Sequence, residues 1–157
     1  MQMVALQDLT LKPASAGFFT PGDQQMRHPN WTTQLPETLS QAMQKPFAWG
    51  EHDCCLFAAD CAIAVCGVDI AEKARGRYKT KSGAMRVLKS EFGNLETGLS
   101  GYFQEIEPDK AIRGDLVMFD GDDGKTLGVL WANKIWAVTE DGARPVNHKP
   151  IKAWRVE

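Results

Sequence analysis

No stretch of this sequence approaches the roughly 20 consecutive apolar residues that a membrane-spanning helix needs. Basic residues are not in surplus either: 18 Lys and Arg stand against 20 Asp and Glu, a formal charge of -2. Proteins that hold nucleic acid by neutralising phosphates are usually basic, so that class of partner is set aside. The first positive charge after the N-terminus is Lys12, and residues 1–13 contain no long apolar core, so a secretory leader is not expected. The chain is therefore expected to fold in a cytosol and to reach any later location through assembly or cell lysis. Histidine is scarce: His28, His52 and His148 are the complete set.

What is present fits one globular domain. The chain has 157 residues, 43% of them hydrophobic and 24% charged, and a domain of that size buries about two-thirds of its unfolded surface. Four cysteines fall close together, Cys54, Cys55, Cys61 and Cys66. Even counts mark disulfide frameworks in small secreted chains, but without a leader free thiols are expected. On a helix, Cys54 and Cys66 lie ~18 Å apart along the axis, and Cys54/Cys61 and Cys55/Cys66 occupy faces ~100° apart. Such thiols do not converge on one zinc at ~2.3 Å from each sulfur. Neither a metal nor a cofactor is expected.

Residues 1–27 lack sustained periodicity. Val4, Leu6, Leu9 and Leu11 give way to Pro13, Gly17, Pro21 and Gly22, which reads as an N-terminal arm or extension with little of its own to fold around. We expect it to be ordered chiefly by another chain, the alternative being that it folds back over its own domain. The domain proper spans 28–157. Leu35, Leu39 and Ala42/Met43 give one apolar helical face, with Pro36 expected in the first turn. Asp53 is a good N-cap for an apolar run from Cys54 to Cys66, closed by Gly67. A helix that is apolar all round is a buried central helix. A further helix is predicted from about Ser82 to Phe92, after a basic loop, Arg75 to Lys81. Beyond Gly98 short β segments alternate with Gly/Asp/Asn turns, the signature of an antiparallel meander. Asp120-Gly121-Asp122-Asp123-Gly124 resembles part of a calcium loop but lacks the closing glutamate, and is read as a hairpin turn. The fold class is α+β, a central buried helix packed on an antiparallel sheet.

Cys54 carries the chemistry. Free N–H groups and the positive end of a helix dipole favour a thiolate at a helix start, below the ordinary cysteine pKa near ~8.5. A cysteine so placed can attack a carbonyl when the facing sheet supplies a base. The plain alternative is that four cysteines in an apolar run are small core residues.

Phe47-Ala48-Trp49-Gly50, His52-Asp53-Cys54-Cys55-Leu56-Phe57-Ala58-Ala59-Asp60, Arg75-Gly76-Arg77-Tyr78 and Gly83-Ala84 together resemble a phage- and prophage-encoded family. Arg113-Gly114-Asp115-Leu116-Val117, Leu127-Gly128-Val129 and Ala153-Trp154-Arg155-Val156 fit it as well. That family looks like a branch of the NlpC-type, papain-like cysteine peptidases of phage tail tips, and the resemblance covers about residues 28–157. It implies an NlpC-type papain-like fold with Cys54 as nucleophile, used only if the protein is active. The base position falls on Thr126, and no orienting residue stands out in Ile135-Trp136-Ala137. His28, His52 and His148 are assigned structural or surface roles. Trp49, Asp53 and Thr126 are the expected binding residues around the cysteine.

The function implied is a structural or assembly role in a phage tail tip or baseplate, carried by a degenerate peptidase domain. The alternative is an active cell-wall cysteine endopeptidase that cleaves peptidoglycan stem peptides during DNA entry. A third reading keeps the groove for binding without cleavage. The expected partners are other tail-tip proteins and peptidoglycan, with neither nucleic acid nor membrane insertion. The expected location is the virion tail, reached from the host cytoplasm.

Overall fold

The computed structural model describes residues 26–157. Four α-helices come first: α1 (Trp31–Ala42), α2 (Cys54–Cys66), α3 (Lys81–Phe92) and α4 (Leu95–Ser100). Strands follow: β1 (Gln104–Ile106), β2 (Leu116–Gly121), β3 (Gly124–Trp131), β4 (Lys134–Thr139), β5 (Gly142–Val146) and β6 (Lys152–Arg155). A single 3-10 turn, Pro108–Lys110, separates β1 from β2. The strands form one antiparallel sheet in the order β1-β6-β2-β3-β4-β5. The architecture is α+β, with helices before strands.

Local chemistry explains the elements. The Asp53 carboxylate accepts from the Leu56 N–H at 3.0 Å and starts α2, and Gly67 at φ +82° ends it. The meander from β2 to β5 runs through short hairpins. Gly121 pairs with Gly124 around Asp122-Asp123, and Thr139 pairs with Gly142 around Glu140-Asp141. Between β3 and β4, Ala132 and Asn133 take φ of +55° and +62°, as a two-residue primed turn requires. β6 then returns to the free side of β2 and brings β1 with it.

Strand alternation sorts the side chains into two cores. Leu116, Met118, Leu127, Val129 and Trp154 meet Phe57, Cys61 and Val65 of α2, and Leu35, Leu39 and Ala42 of α1 join the same core. Val117, Phe119, Ile135, Ala137 and Ala153 form a second cluster on the other face of the sheet. The helix is thus central, as its uniformly apolar sequence predicts. Full burial of a side chain such as Phe57 or Val65 stabilises by about 1.5–3 kcal/mol.

Three elements differ from the sequence expectation. α1 starts at Trp31, so Pro36 sits inside the helix rather than in its first turn. The missing N–H falls opposite exposed Thr32, whose carbonyl can turn to water. α4 occupies a stretch with little periodicity, and its start depends on Asn94, whose Oδ1 accepts from the Thr97 N–H at 2.7 Å. β1 is three residues of largely exposed edge strand, too short for an alternation to show.

Arg27 belongs to the domain, not to the arm. It donates to Asp115 at 2.7 Å, to the Val156 carbonyl at 2.8 Å and to the Arg113 carbonyl at 2.7 Å. The Asp115 side chain is fully buried and also accepts from Arg155, the Ile112 N–H and the Val156 N–H. The other expectations for the arm fall on residues 1–25, outside the described residues. Asp115→Ala leaves two guanidinium groups and two backbone donors without this acceptor, and is expected to cost about 3 kcal/mol or more. Urea unfolding of the full chain measures it, and a loss under about 1 kcal/mol would mean that the cluster contributes little.

Candidate functional site

The site is built at the N-terminal end of α2. Its approach, residues 46–53, is a tight turn held by a bridge between Ala48 and His52, with N–H···O distances of 2.8 and 3.1 Å. Gly50 takes φ +82° and lies against the Tyr78 backbone, so a Cβ there would overlap the Tyr78 carbonyl oxygen. Asp53 is 1% exposed. One carboxylate oxygen caps Leu56; the other accepts from the Gly50 N–H at 3.0 Å and the Tyr78 hydroxyl at 2.7 Å. Burial and this bond to Asp53 push the Tyr78 phenol far above its usual range. The basic loop is therefore anchored by its one aromatic residue. Its arginines are engaged too, Arg75 with Asp60 and Asp69, Arg77 with Glu91.

Cys54 follows Asp53 and is partly exposed. The Cys55 thiol hydrogen-bonds to its sulfur and pulls Cys54 below the ordinary cysteine range. Burial and the Asp53 charge oppose this, while the Leu127 backbone N–H, reaching across from β3, favours it. Cys55, which donates its S–H, is pushed well above the ordinary range, first by that bond and then by burial. Burial also raises Cys61 and Cys66. Of the four thiols, Cys54 alone is shifted toward the thiolate.

Each of the three imidazoles has a contact of its own, and His148 also lines the cleft that holds Cys54. His28 lies at the far end of α2, its backbone N–H bonded to the Val65 carbonyl and its ring beside Gly67. His148 stacks on Phe119 at 4.6 Å, on the sheet face away from α2. His52, one residue before Asp53, is 4% exposed and packs edge-on to Phe57. Its ring bonds to the Ala42 carbonyl, and Nε2 has no partner among the described residues.

Thr126 pairs with Phe119 and shares its face, while Leu127 shares the α2 face with Met118. The Thr126 hydroxyl donates back to the Gly124 carbonyl at 3.0 Å. It borders the cleft but does not face the sulfur. The β3 group that reaches Cys54 is the Leu127 N–H, a donor that cannot take a proton. Trp49, Asp53, Cys54 and Thr126 do line one cleft of 880 Å³. Trp49 stacks edge-to-face on Phe47 at 5.0 Å, and the Phe47 N–H bonds to the Glu140 carbonyl at 3.3 Å, which ties this wall to the β4–β5 turn. Sequence reasoning missed Tyr78 and the Leu127 N–H. An aromatic inside a basic run was a signal for the first; a backbone donor leaves none.

Residues 26–156 match the family model described as a domain of unknown function, DUF6950, and the chain belongs to that family. No curated protein sequence matches the chain.

Two outcomes follow from the geometry. Tyr78→Phe removes a hydrogen bond to a buried carboxylate and is expected to cost about 1.5–3 kcal/mol in urea unfolding; no loss would mean that Asp53 is held without it. His52 is lowered first by burial and then by Lys45, so the unfolded state, titrating near ~6.5, binds the proton before the folded state does. Its contribution is present above that pH and is lost as pH falls toward the depressed folded value. His52→Gln is expected to flatten the fall in stability between pH 7.5 and 5. An unchanged slope would assign the acid sensitivity to other groups.

Proposed function

We propose that this chain is a structural or assembly protein of a phage tail tip or baseplate, with an NlpC-like domain that keeps the cysteine cleft and has lost hydrolysis. The tail-tip assignment rests on the family resemblance of the motifs around Cys54, Tyr78 and Trp154. The loss of hydrolysis rests on one observation: the sheet presents a backbone N–H to Cys54 where a peptidase needs a proton acceptor. Amide cleavage requires a base or an ion-pair partner for the thiol and then an acid for the leaving amine. Leu127 supplies neither, and no imidazole is among the groups that shift Cys54, although His148 borders the same cleft. What the cleft retains is suited to holding an extended peptide: an apolar wall, an aromatic at Trp49 and a polar rim.

The second reading, an active peptidoglycan endopeptidase, is favoured by the shift of Cys54 toward the thiolate, which a merely packed cysteine would not need. The two separate by assay. Purified full-length protein incubated with muropeptides is expected to give no stem-peptide cleavage above a Cys54→Ala control, because absence of a general base costs about 10²–10⁴-fold. Turnover that the substitution abolishes would establish the peptidase reading instead.

A further inference from the structure

The cleft that holds Cys54 has two chemically distinct linings. From the helical side, α3 and the segment ahead of it bring up Ile70, Ala74, Met85, Leu88 and Phe92, and Met85 is 51% exposed. From the sheet, the β2–β3 turn supplies Asp122 and Asp123, and the β4–β5 turn supplies Glu140 and Asp141. All four carboxylates are exposed, and none enters an ion pair among the described residues. The remaining acid on the cleft, Asp53, is buried and satisfied by Gly50, Leu56 and Tyr78. Of the basic residues on the same cleft, Lys125 is held by Glu96 at 3.0 Å, which leaves Lys81 at the start of α3 and the exposed ring of His148. The turns therefore carry an uncompensated negative charge beside an apolar wall.

This pairing selects among occupants. An acidic ligand would meet four like charges for the one cation at Lys81. An apolar helix laid on α3 would cover the wall but take the carboxylates out of water without partners, which is costly. An extended peptide meets both linings at once. Its side chains alternate between two sides, repeating every ~6.8 Å, so apolar residues can face α3 while basic residues between them face the turns. Lys and Arg suit the second role, because their stems lie along apolar surface while the charged end reaches a carboxylate. The dimensions agree: α3 has 12 residues, ~18 Å, the length of a five- or six-residue strand. The volume of 880 Å³, in the upper part of the ~300–1,000 Å³ range of ligand sites, gives room for several side chains.

We propose that the cleft binds an extended segment of a partner protein in which apolar residues alternate with Lys or Arg, the apolar ones on α3 and the basic ones on the β2–β3 and β4–β5 turns. The proposal rests on the reading of the cleft as a peptide-holding groove and names the chemistry of the peptide. The test titrates full-length protein calorimetrically with three acetylated, amidated pentapeptides that alternate leucine with arginine, with glutamine or with glutamate. Two variants at exposed positions are run beside the unaltered chain, Asp122→Asn/Asp123→Asn/Glu140→Gln/Asp141→Asn and Met85→Gln. The unaltered chain is expected to bind the arginine peptide about tenfold tighter than the glutamine peptide, because exposed ion pairs are individually weak but several act together, and the glutamate peptide weakest. The quadruple variant is expected to lose the arginine preference and keep its affinity for the glutamine peptide, whereas Met85→Gln weakens both. Equal affinity for the arginine and glutamine peptides overturns the proposal and leaves the groove reading standing; absence of binding by all three overturns both. An arginine preference that survives in the quadruple variant overturns the proposal too, since other groups would then hold the cations. Light scattering showing a dimer that must dissociate before any peptide binds would assign the cleft to a second copy, which also overturns it. Muropeptide turnover would refute the non-hydrolytic reading without changing the arginine preference, so the two failures are distinguishable.

Discussion

Everything at the candidate site depends on the buried carboxylate of Asp53. A carboxylate removed from water is costly unless its lone pairs are used. Here three segments use them: the Gly50 turn before it, the first turn of α2 after it, and the basic loop through Tyr78. The residues from Phe47 to Tyr78 are thereby held around the start of the helix, and the position of Cys54 follows from that. The same pattern recurs at the other end of the molecule, where buried Asp115 holds the start of the domain to its last strand through Arg27 and Arg155. Each of the two buried acids combines one or more backbone donors three residues away with at least one side-chain donor distant in sequence, Tyr78 for Asp53 and Arg27 and Arg155 for Asp115.

The Asp53 charge also sets a conflict beside the thiol. It disfavours a second negative charge, as does burial, whereas Cys55, the Leu127 N–H and the helix terminus favour one. The favourable groups prevail, and all of them are hydrogen-bond donors or dipoles. None can accept a proton. A thiol activated only by donors is a nucleophile and a binding determinant without a proton relay, and this distinction separates the proposed role from a peptidase. Two neighbouring features favour binding over turnover: the cleft has an apolar wall long enough for a peptide, and Lys81, Asp122, Asp123, Glu140 and Asp141 along it enter no ion pair among the described residues.

Much of the fold was legible in the sequence. A run from Cys54 to Cys66 with no polar face, an Asp before it and a Gly after it can form little other than a buried capped helix. Turn residues between short β-branched runs likewise marked the hairpins. What was missed lacks a local pattern: α4 depends on one asparagine cap, β1 is a three-residue edge, and Pro36 is tolerated inside α1 because its neighbouring carbonyl is exposed. At the site, the placement of Cys54, Asp53 and Trp49 around one cleft was legible because it is local to a helix start. The β3 partner was not. Strand register decides which of two adjacent residues faces the helix, and a shift of one residue exchanges Thr126 for Leu127. Tyr78 reaches Asp53 across 25 positions of sequence, which spacing alone does not reveal.

The central claim is that Cys54 ionises alone, helped by donors but not by an imidazole. The pH profile of its alkylation in the full-length chain tests this most directly, with the rate at Cys54 followed by peptide mapping from pH 4 to 10. A single sigmoidal rise is predicted, with a midpoint below the ordinary ~8.5 of a free cysteine and unmoved by substitution of His28, His52 or His148. A second, acidic limb that disappears with one of those histidines would reveal a thiolate–imidazolium pair and contradict the account.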